Sequence, residues 1–265
     1  MAAFVNGGPT LLVSFESRQG IQALSPSGHP FGWDMAQGFG WSHMGLICDG
    51  DTWFRDPAVF AFFDNLSDEG VFDGYDEVLF YGAGPCGYAA AAFSVAAPGA
   101  RVLAIQPQAT LDPDLAGWDP RFVELRRIDF RRRYGYAPRM LDAAARAYVI
   151  YDPMQREDAM HAALFAAPHV TRLTLPNMGS ALQTDLLEMD VLYELLAMAA
   201  DMSLERHAFS MMMRARRDHP PYLRRLLARL ERDERTGLAE MLCRNVAARL
   251  DDGRFLNKLQ RLQAS

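Results

Sequence analysis

Residues 78–90 read Val-Leu-Phe-Tyr-Gly-Ala-Gly-Pro-Cys-Gly-Tyr-Ala-Ala. Four apolar residues lead into a glycine-rich turn, and the alanine-rich text after the turn is typical of a helix with a small face. A strand followed at once by a helix that packs on it is the basic unit of a parallel α/β arrangement. The segment therefore predicts a strand at 78–81 and a helix at 88–97, which Pro98-Gly99 ends.

The same segment resembles the nucleophile elbow of the α/β-hydrolase superfamily, in which a G-x-S-x-G turn presents a catalytic serine. Gly84 stands at the position of that serine, so the elbow is degenerate. The next residue normally donates its backbone N–H to the oxyanion hole, but here it is Pro85, which has no N–H. The resemblance covers about residues 10–200 and implies an α/β-hydrolase-like fold in a pseudoenzyme.

Strand and helix patterns alternate along the first 200 residues. This alternation predicts a mostly parallel sheet with helices on both faces. Strands are predicted at 11–15, 102–105, 148–151 and 170–175, and helices at 57–69, 157–166 and 185–202.

Two segments depart from that alternation. Residues 109–140 lie where hydrolase-fold proteins insert a lid, and residues 203–265 read as amphipathic helices at 221–233, 237–250 and 252–262. We therefore predict an α/β-hydrolase-like domain at 1–202, with a lid-like insertion at 109–140, and a C-terminal helical extension at 203–265. The extension either docks on the main domain or provides a surface for self-association or a protein partner.

Charge and composition limit the functional classes. The net charge of −6 argues against general nucleic-acid binding, although residues 203–265 carry 14 basic against 8 acidic residues. Lys258 is the only lysine, and this preference for arginine fits a GC-rich bacterial genome. No apolar run approaches the roughly 18 residues of a membrane span, and the start lacks a signal-peptide pattern. Cys48, Cys86 and Cys243 have no zinc or disulfide spacing, so we expect a cytoplasmic protein without metal or cofactor.

The resemblance transfers one further triad position by residue type. Asp152 follows the predicted strand at 148–151, where the family carries its acid, but an Asp-Pro turn that ends a strand explains it equally well. The segment after the last strand, at 175–180, has no histidine. His43, after a glycine-rich turn, and His161, on the helix at 157–166, are alternative bases. Each could equally be a structural histidine.

Cys86 is the alternative nucleophile. In the shifted register Gly84 to Tyr88, the residue after it has an N–H, and a helix N-terminus lowers the pKa of a thiol. A cysteine in the first helical turn can also be a small packing residue against the sheet. The rival to a binding protein is therefore a divergent hydrolase or acyltransferase that uses Cys86, or a water activated by Asp152 with His43 or His161.

The preferred hypothesis is a binding protein. Gly84 leaves a void at the tip of the turn, and the N–H groups of Cys86 and Gly87 at the start of the helix favour an anion. From the lid-like insertion, the arginine-rich text predicts a countercharge at Arg133 and an apolar wall from Trp118 or Tyr134. The expected ligand is an anionic or polyhydroxylated small molecule. The alternative for these arginines is a solvated helix.

Overall fold

A seven-stranded sheet forms the centre of the computed structural model, which describes residues 1–25, 28–250 and 252–264. The strands lie in the order β1-β3-β2-β4-β5-β6-β7, and all neighbours are parallel except the edge strand β1, which is antiparallel to β3. Their bounds are β1 Ala2–Val5, β2 Thr10–Ser17, β3 Ser42–Cys48, β4 Glu77–Ala83, β5 Arg101–Ile105, β6 Arg146–Tyr151 and β7 Val170–Thr174.

Helices connect the strands and cover the sheet. The α-helices of the described residues are α1 Arg18–Leu24, α2 Phe31–Phe39, α3 Pro57–Asp68, α4 Pro85–Phe93, α5 Pro113–Ala116, α6 Ala137–Met140, α7 Arg156–Leu164, α8 Leu182–Glu188, α9 Leu192–Ala200, α10 Arg206–Met212, α11 Pro220–Arg232, α12 Thr236–Arg249 and α13 Gly253–Ala264. Single turns of 3-10 helix lie at Val71–Gly74, Ser94–Ala96, Val123–Leu125 and Leu141–Ala143, and a longer one at Met213–Asp218.

The two faces of the sheet bury two separate apolar cores. Because side chains alternate along a strand, Val78 and Phe80 of β4 face the core that α3 and α4 cover. Leu79 and Tyr81 of the same strand face the other core, under α2 and α8 to α10. This arrangement confirms the predicted fold class, an α/β-hydrolase-like, mostly parallel sheet with helices on both faces.

Two parts of the sequence interpretation were wrong. Residues 42–48 form the buried parallel strand β3, whereas the sequence indicated a glycine-rich turn before His43. The polar Ser42 and His43 hide the apolar pattern of this strand. Ser42 Oγ accepts the N–H of Gly7 and His43 Nε2 contacts Ser14 Oγ, while His43 Nδ1 is buried without a partner among the described residues. The predicted helix at 185–202 is two helices, α8 and α9, which Asp190 separates with a φ of 57°.

The inserted segment 109–140 packs on the main body. It contains the short helices α5 and α6, and Phe130 and Tyr134 from its second half are buried in the core above β4. The hydroxyl of Tyr88 on α4 donates to the carbonyl of Tyr134 at 2.6 Å, which fixes the insertion to the helix after the turn.

Residues from 203 onward are helical in the part of the chain that the structure describes. Phe209 and Met213 belong to the second core of the sheet, while α11 to α13 share a small core of their own around Cys243 and Phe255. That this extension captures a partner or associates with a second copy stays a prediction. None of the helices described is both long and apolar enough to cross a membrane.

Candidate functional site

The turn between β4 and α4 is tight and faces open space. Gly84 has φ 57° and ψ −126°, a conformation that side-chain-bearing residues adopt only with strain. A Cβ atom built on Gly84 meets nothing within 4 Å. By contrast, a Cβ on Gly82 would lie 2.2 Å from the carbonyl oxygen of Cys86, so glycine is what lets α4 approach β4 this closely.

A buried carboxylate lies beside the start of α4. Glu16, near the end of β2, accepts hydrogen bonds from the backbone N–H groups of Phe31 (2.7 Å) and Gly32 (2.9 Å). With Ala83 and Cys86 it lines a small cavity of about 80 Å³. Burial raises the pKa of Glu16, and its charge also helps raise the pKa of Cys86. The protein's own acid therefore lies where the helix start would favour an external anion.

A polar cavity of about 260 Å³ opens above Gly84. Its lining consists of amides, hydroxyl groups and one ion pair, with little apolar surface. The polar residues are Gln106, Gln108, Arg121, Asp158, Ser180, Gln183 and Thr184. Such a wall offers both donors and acceptors to a ligand, and it contains neither a histidine nor a thiol.

Gln106 organises one side of this cavity. It follows β5 with a φ of 47°, a conformation that non-glycine residues adopt sparsely and that clusters at functional sites. Its Nε2 donates to Asp158 Oδ2 at 2.6 Å, and its Oε1 accepts the N–H of Leu182 at 3.2 Å. The side chain thus joins the end of β5 to α7 and α8.

The side-chain amide of Gln108 is only partly hydrogen-bonded. Its Nε2 donates to the carbonyl of Gln106, but its Oε1 is buried and has no partner among the described residues. A buried acceptor without a donor costs about 1–3 kcal/mol. Gln108 therefore belongs to the cavity wall as a residue, while its unpartnered Oε1 lies below the cavity surface.

Arg121 bridges two buried carboxylates. Its guanidinium contacts Asp158 at 2.6 Å and Asp119 at 2.8 Å. Although burial alone would lower it, the pKa of Arg121 is raised by its hydrogen bonds to these two acids. One cation facing two anions leaves this side of the cavity with no excess positive charge.

His161 is fully occupied. Its Nδ1 accepts the N–H of Ala109 at 3.1 Å, so the proton resides on Nε2, which donates to Asp119 at 3.1 Å. The imidazole ring is fully buried and packs against the indole of Trp118 in a tilted arrangement. Burial lowers the pKa of His161. The indole of Trp118 donates to the carbonyl of Leu115. His161 and Trp118 therefore support the insertion from beneath, and neither lines the cavity.

Asp152 lies directly after β6, as predicted, but its carboxylate serves the backbone. It accepts three N–H groups, from Met154 at 2.8 Å, Asn177 at 3.2 Å and Gly179 at 2.7 Å. The residue is fully buried and does not line the cavity above Gly84. Asp152 lies at the position that the resemblance assigns to the catalytic acid. Its contacts are those of a turn-forming aspartate, the alternative explanation from the sequence.

His43 is the second residue of β3 and is fully buried. Its Nε2 lies 2.8 Å from Ser14 Oγ, and Ser14 Oγ donates to Glu16 Oε1 at 2.9 Å. Burial lowers the pKa of His43 to about 4. The sequence left His43 open as a displaced base or a structural histidine, and its burial in the strand favours the structural role. The sequence reasoning missed Ser14 and Glu16, although their polarity within an apolar strand was a visible signal.

Cys86 packs against the sheet. It belongs to the apolar core above β4, and its pKa is raised well above the usual range by a hydrogen bond with Cys48 and by burial. It does not line the cavity above Gly84. The structure therefore favours the packing reading over the nucleophile.

The remaining predicted ligand contacts lie elsewhere. Arg133 forms an ion pair with Asp64 of α3, and the hydroxyl of Tyr134 donates to the same carboxylate at 3.1 Å. A Cβ on Gly87 would meet carbonyl oxygens of β4 and β5, so this residue faces the sheet. Of the six residues predicted to bind ligand, Gly84 alone lines the cavity among the described residues, and Arg121 supplies the arginine that the sequence assigned to Arg133.

A cluster of metal-ligand residues lies away from this cavity, at Asp185, Glu188 and His219. Arg225 donates to Asp185 at 2.6 Å, and His219 contacts the same carboxylate at 2.8 Å. The guanidinium already neutralises the carboxylate, so these contacts describe an ion-pair network that fastens α11 to α8.

Comparisons with known proteins give distant matches. No protein-family model and no curated protein matches the chain. A solved structure from work on LipS and LipT, two metagenome-derived lipolytic enzymes, is 14% identical, with a TM-score of 0.45, and the match covers 73% of this chain and 95% of that one. EstE1, a thermophilic carboxylesterase from a metagenomic library, is 14% identical, with a TM-score of 0.41, and the match covers 74% of this chain and 79% of that one. The strand order and the connections between strands define the fold of this chain.

Proposed function

We propose that this chain is an α/β-hydrolase-fold protein without serine-hydrolase activity, and that it binds a small polyhydroxylated molecule in the cavity above Gly84. One observation carries the proposal. The turn has the backbone that presents a nucleophile, but its tip has no side chain. The described wall above it has neither a histidine nor a thiol, and the carboxylate of Asp158 in that wall is paired with Arg121 and Gln106.

The loss of acyl chemistry is supported by two features of the turn and one of the segment beside it. Gly84 has no attacking group. Pro85 has no N–H for the oxyanion hole, whose second donor comes in the family from the loop after the neighbouring strand. In this chain Phe31 and Gly32, which follow β2, direct their N–H groups at Glu16. A developing oxyanion would therefore meet a carboxylate in place of a donor, and we regard the elbow as degenerate.

The rival hypothesis, a divergent hydrolase or acyltransferase, finds less support. Cys86 is buried with a raised pKa, which disfavours the reactive thiolate. The carboxylate of Asp152 is taken up by three backbone N–H groups, so it is not free to orient a base or a water. The two candidate bases, His43 and His161, are both fully buried and hydrogen-bonded inside the fold.

The cavity favours a neutral polyhydroxylated ligand over an anion. An anion in this cavity would lie close to the carboxylate of Asp158. The positive charge of Arg121 is already neutralised by Asp158 and Asp119 together. Ser180, Gln183 and Thr184 offer both donors and acceptors to the cavity, which hydroxyl groups can match and a carboxylate or phosphate dianion, with acceptors alone, cannot. The volume of about 260 Å³ suits a molecule of monosaccharide size.

The test is a binding screen with a matched pair of variants. Thermal shift and titration calorimetry would compare neutral monosaccharides and cyclic polyols with phosphorylated sugars and carboxylates. Gln108→Leu replaces an amide of the cavity wall by an apolar side chain and should weaken polyol binding. Gln37→Leu, on the exposed part of α2, should leave binding unchanged. Binding of anions alone, or polyol binding that Gln108→Leu does not affect, would refute the assignment.

The absence of hydrolase activity has a separate test. The purified protein should show no labelling by a fluorophosphonate probe and negligible turnover of short activated esters, since removal of triad members leaves only about 10³ to 10⁴-fold catalysis over water. Labelling of any serine would contradict the proposal. We also propose a cytoplasmic location, which the free thiols of Cys48, Cys86 and Cys243 support.

A further inference from the structure

A second cleft, lined by arginines, lies between α11 and the carboxyl ends of the last two strands. Its volume is about 370 Å³. One wall is a face of α11, and the other is formed by the turns that follow β6 and β7, with Asp152, Met154, Gln155, Asn177 and Gly179. Ligands of open α/β sheets bind in crevices outside the carboxyl ends of the strands, so the cleft occupies a place suited to binding.

Three arginines of α11 face this cleft, namely Arg225, Arg229 and Arg232. Residues three and four positions apart are neighbours on one side of a helix, so the three guanidinium groups share the same face. Like charges at this spacing repel one another and destabilise a helix. An anion bound between them would relieve that repulsion.

Two of these arginines are held in place by the body of the protein. Arg225 donates to Asp185 at 2.6 Å, and its side chain packs on Gly179, where a Cβ would lie 3.1 Å from the Arg225 Cδ. Arg229 donates through Nη1 to Asn177 Oδ1 at 2.8 Å. Side chains that are already ordered lose less conformational entropy when a ligand binds.

The two acids in the wall of the cleft meet the arginines differently. Asp152 is fully buried and its carboxylate accepts three backbone N–H groups, so it lies below the surface of the cleft. Asp233 is exposed and pairs with both Arg229 and Arg232, at 3.3 and 3.6 Å. At the surface, one carboxylate therefore faces two guanidinium groups.

These two guanidinium groups also have unused donors. Among the described residues, no hydrogen-bond partner contacts Nη2 of Arg229 or either terminal nitrogen of Arg232. The cavity above Gly84 has the opposite balance, with one arginine facing two carboxylates. Of the two, the cleft beside α11 is therefore the one suited to an anion.

We propose that this cleft binds the phosphate group of a small phosphorylated molecule. Guanidinium groups bind phosphate through paired, charge-assisted hydrogen bonds, and a phosphate dianion supplies negative charge where two cations share one carboxylate. The cleft is larger than a phosphate ion, so it also has room for the body of a small phosphate ester.

This site is independent of the ligand proposed for the cavity above Gly84. The two cavities share no residue of their walls. The variant Gln108→Leu addresses the polyol site, and the variants below address the phosphate site, so failure of one assignment leaves the other intact.

The experiment is titration calorimetry of the full chain with inorganic phosphate and with glycerol 3-phosphate at low ionic strength. Both should bind saturably, and added salt should weaken both, because it screens charges near the surface. Arg232→Gln removes an exposed guanidinium and should weaken binding roughly tenfold, the effect of one lost charge-assisted hydrogen bond. Arg224→Gln is the matched control on the same helix. Arg224 pairs with Asp252 and does not line the cleft, so its replacement should leave the affinity unchanged.

Asp233→Asn separates a binding site from a network that only fastens α11. At a phosphate site the variant removes the competing carboxylate and should tighten binding several-fold. In a purely structural network it would lower stability without any gain in affinity. The proposal would be overturned by the absence of saturable phosphate binding, by equal weakening in Arg224→Gln and Arg232→Gln, or by Asp233→Asn without tighter binding. Binding of an oligonucleotide but of neither small phosphate would overturn it as well.

Discussion

Two polar regions of this protein have opposite combinations of chemistry and access. The cluster of Ser14, Glu16 and His43 has a hydroxyl, a carboxylate and an imidazole in hydrogen-bond contact, and all three residues are buried. The cavity above Gly84 is open, and its wall has amides and hydroxyl groups without a base. Glu16 also lines the small cavity beside Cys86, which shares Ala83 and Gln183 with the cavity above Gly84.

The residue types in a cluster do not by themselves define an active site. A serine, a histidine and an acid in contact satisfy the composition of a triad, but a substrate cannot reach Ser14 between the sheet and α2. Its proximity to His43 serves to satisfy polar groups inside the fold. The open cavity has the access and lacks the reactive groups, which is the combination expected of a binding site.

The largest effect is expected at Asp152, the buried carboxylate directly after β6. Asp152→Ala removes the acceptor of three backbone N–H groups and leaves them buried, so stability should fall by roughly 3–5 kcal/mol. Denaturant unfolding measures the change, with exposed Asp73→Ala as the control that should have little effect. A small loss for Asp152→Ala would mean that the carboxylate is free for chemistry, and the comparison would fail.

The next effect concerns the buried cluster. The pKa of His43 is about 4 in the folded chain, against an ordinary value of 6.5. As the pH falls from 6.5 towards 4, the unfolded chain gains a proton at this residue that the folded chain does not. His43 should therefore reduce stability by up to about 3 kcal/mol over that range.

The measurement is the pH dependence of unfolding for the wild type and for His43→Gln. The difference between the two should grow as the pH falls, while His207→Gln, at an exposed position of α10, should follow the wild type. Identical slopes for the wild type and His43→Gln would mean that the imidazole is accessible to solvent protons, which would bring the buried cluster closer to a functional site.

A smaller effect is expected when the missing side chain is restored. Gly84→Ser places a hydroxyl in open space but keeps a backbone at φ 57°, so it should cost about 1–3 kcal/mol and yield no esterase activity. Catalytic groups act as a unit, and neither a base nor an oxyanion donor is present beside it. Gly38→Ser on α2 is the control, since its Cβ also meets nothing and its φ is not positive. An acyl-enzyme on Ser at 84 would show that a base has been overlooked.

The smallest effect is expected at Arg133. Its ion pair with Asp64 is more than half exposed on the arginine side, and surface pairs contribute about 0–1 kcal/mol. Arg133→Ala should change stability little more than Arg127→Ala, an exposed position in the same segment, and should leave ligand binding intact. Loss of polyol binding in Arg133→Ala would mean that this part of the insertion contacts the ligand, although it does not line the cavity above Gly84.

Part of the fold could be predicted from residues that are close together in the sequence. The strand and turn at 78–84 follow from an apolar run that meets two glycines, and the structure has them as β4 and Gly84. The position of Asp152 after β6 follows in the same way. Strand β3 was missed because Ser42 and His43 look like loop residues until their partners across the fold are known.

Local sequence is enough to predict the alternation of strands and helices, the empty tip at Gly84 and the missing N–H of Pro85, since these depend on local conformation and residue chemistry. Which polar groups meet depends on tertiary packing. Arg121 and Asp158 are distant in sequence, as are Ser14 and His43, and packing of the insertion and pairing of β2 with β3 bring each pair into contact. A charged or polar side chain acquires its function from the partners and the exposure that folding gives it, and neither is encoded within a few neighbouring residues.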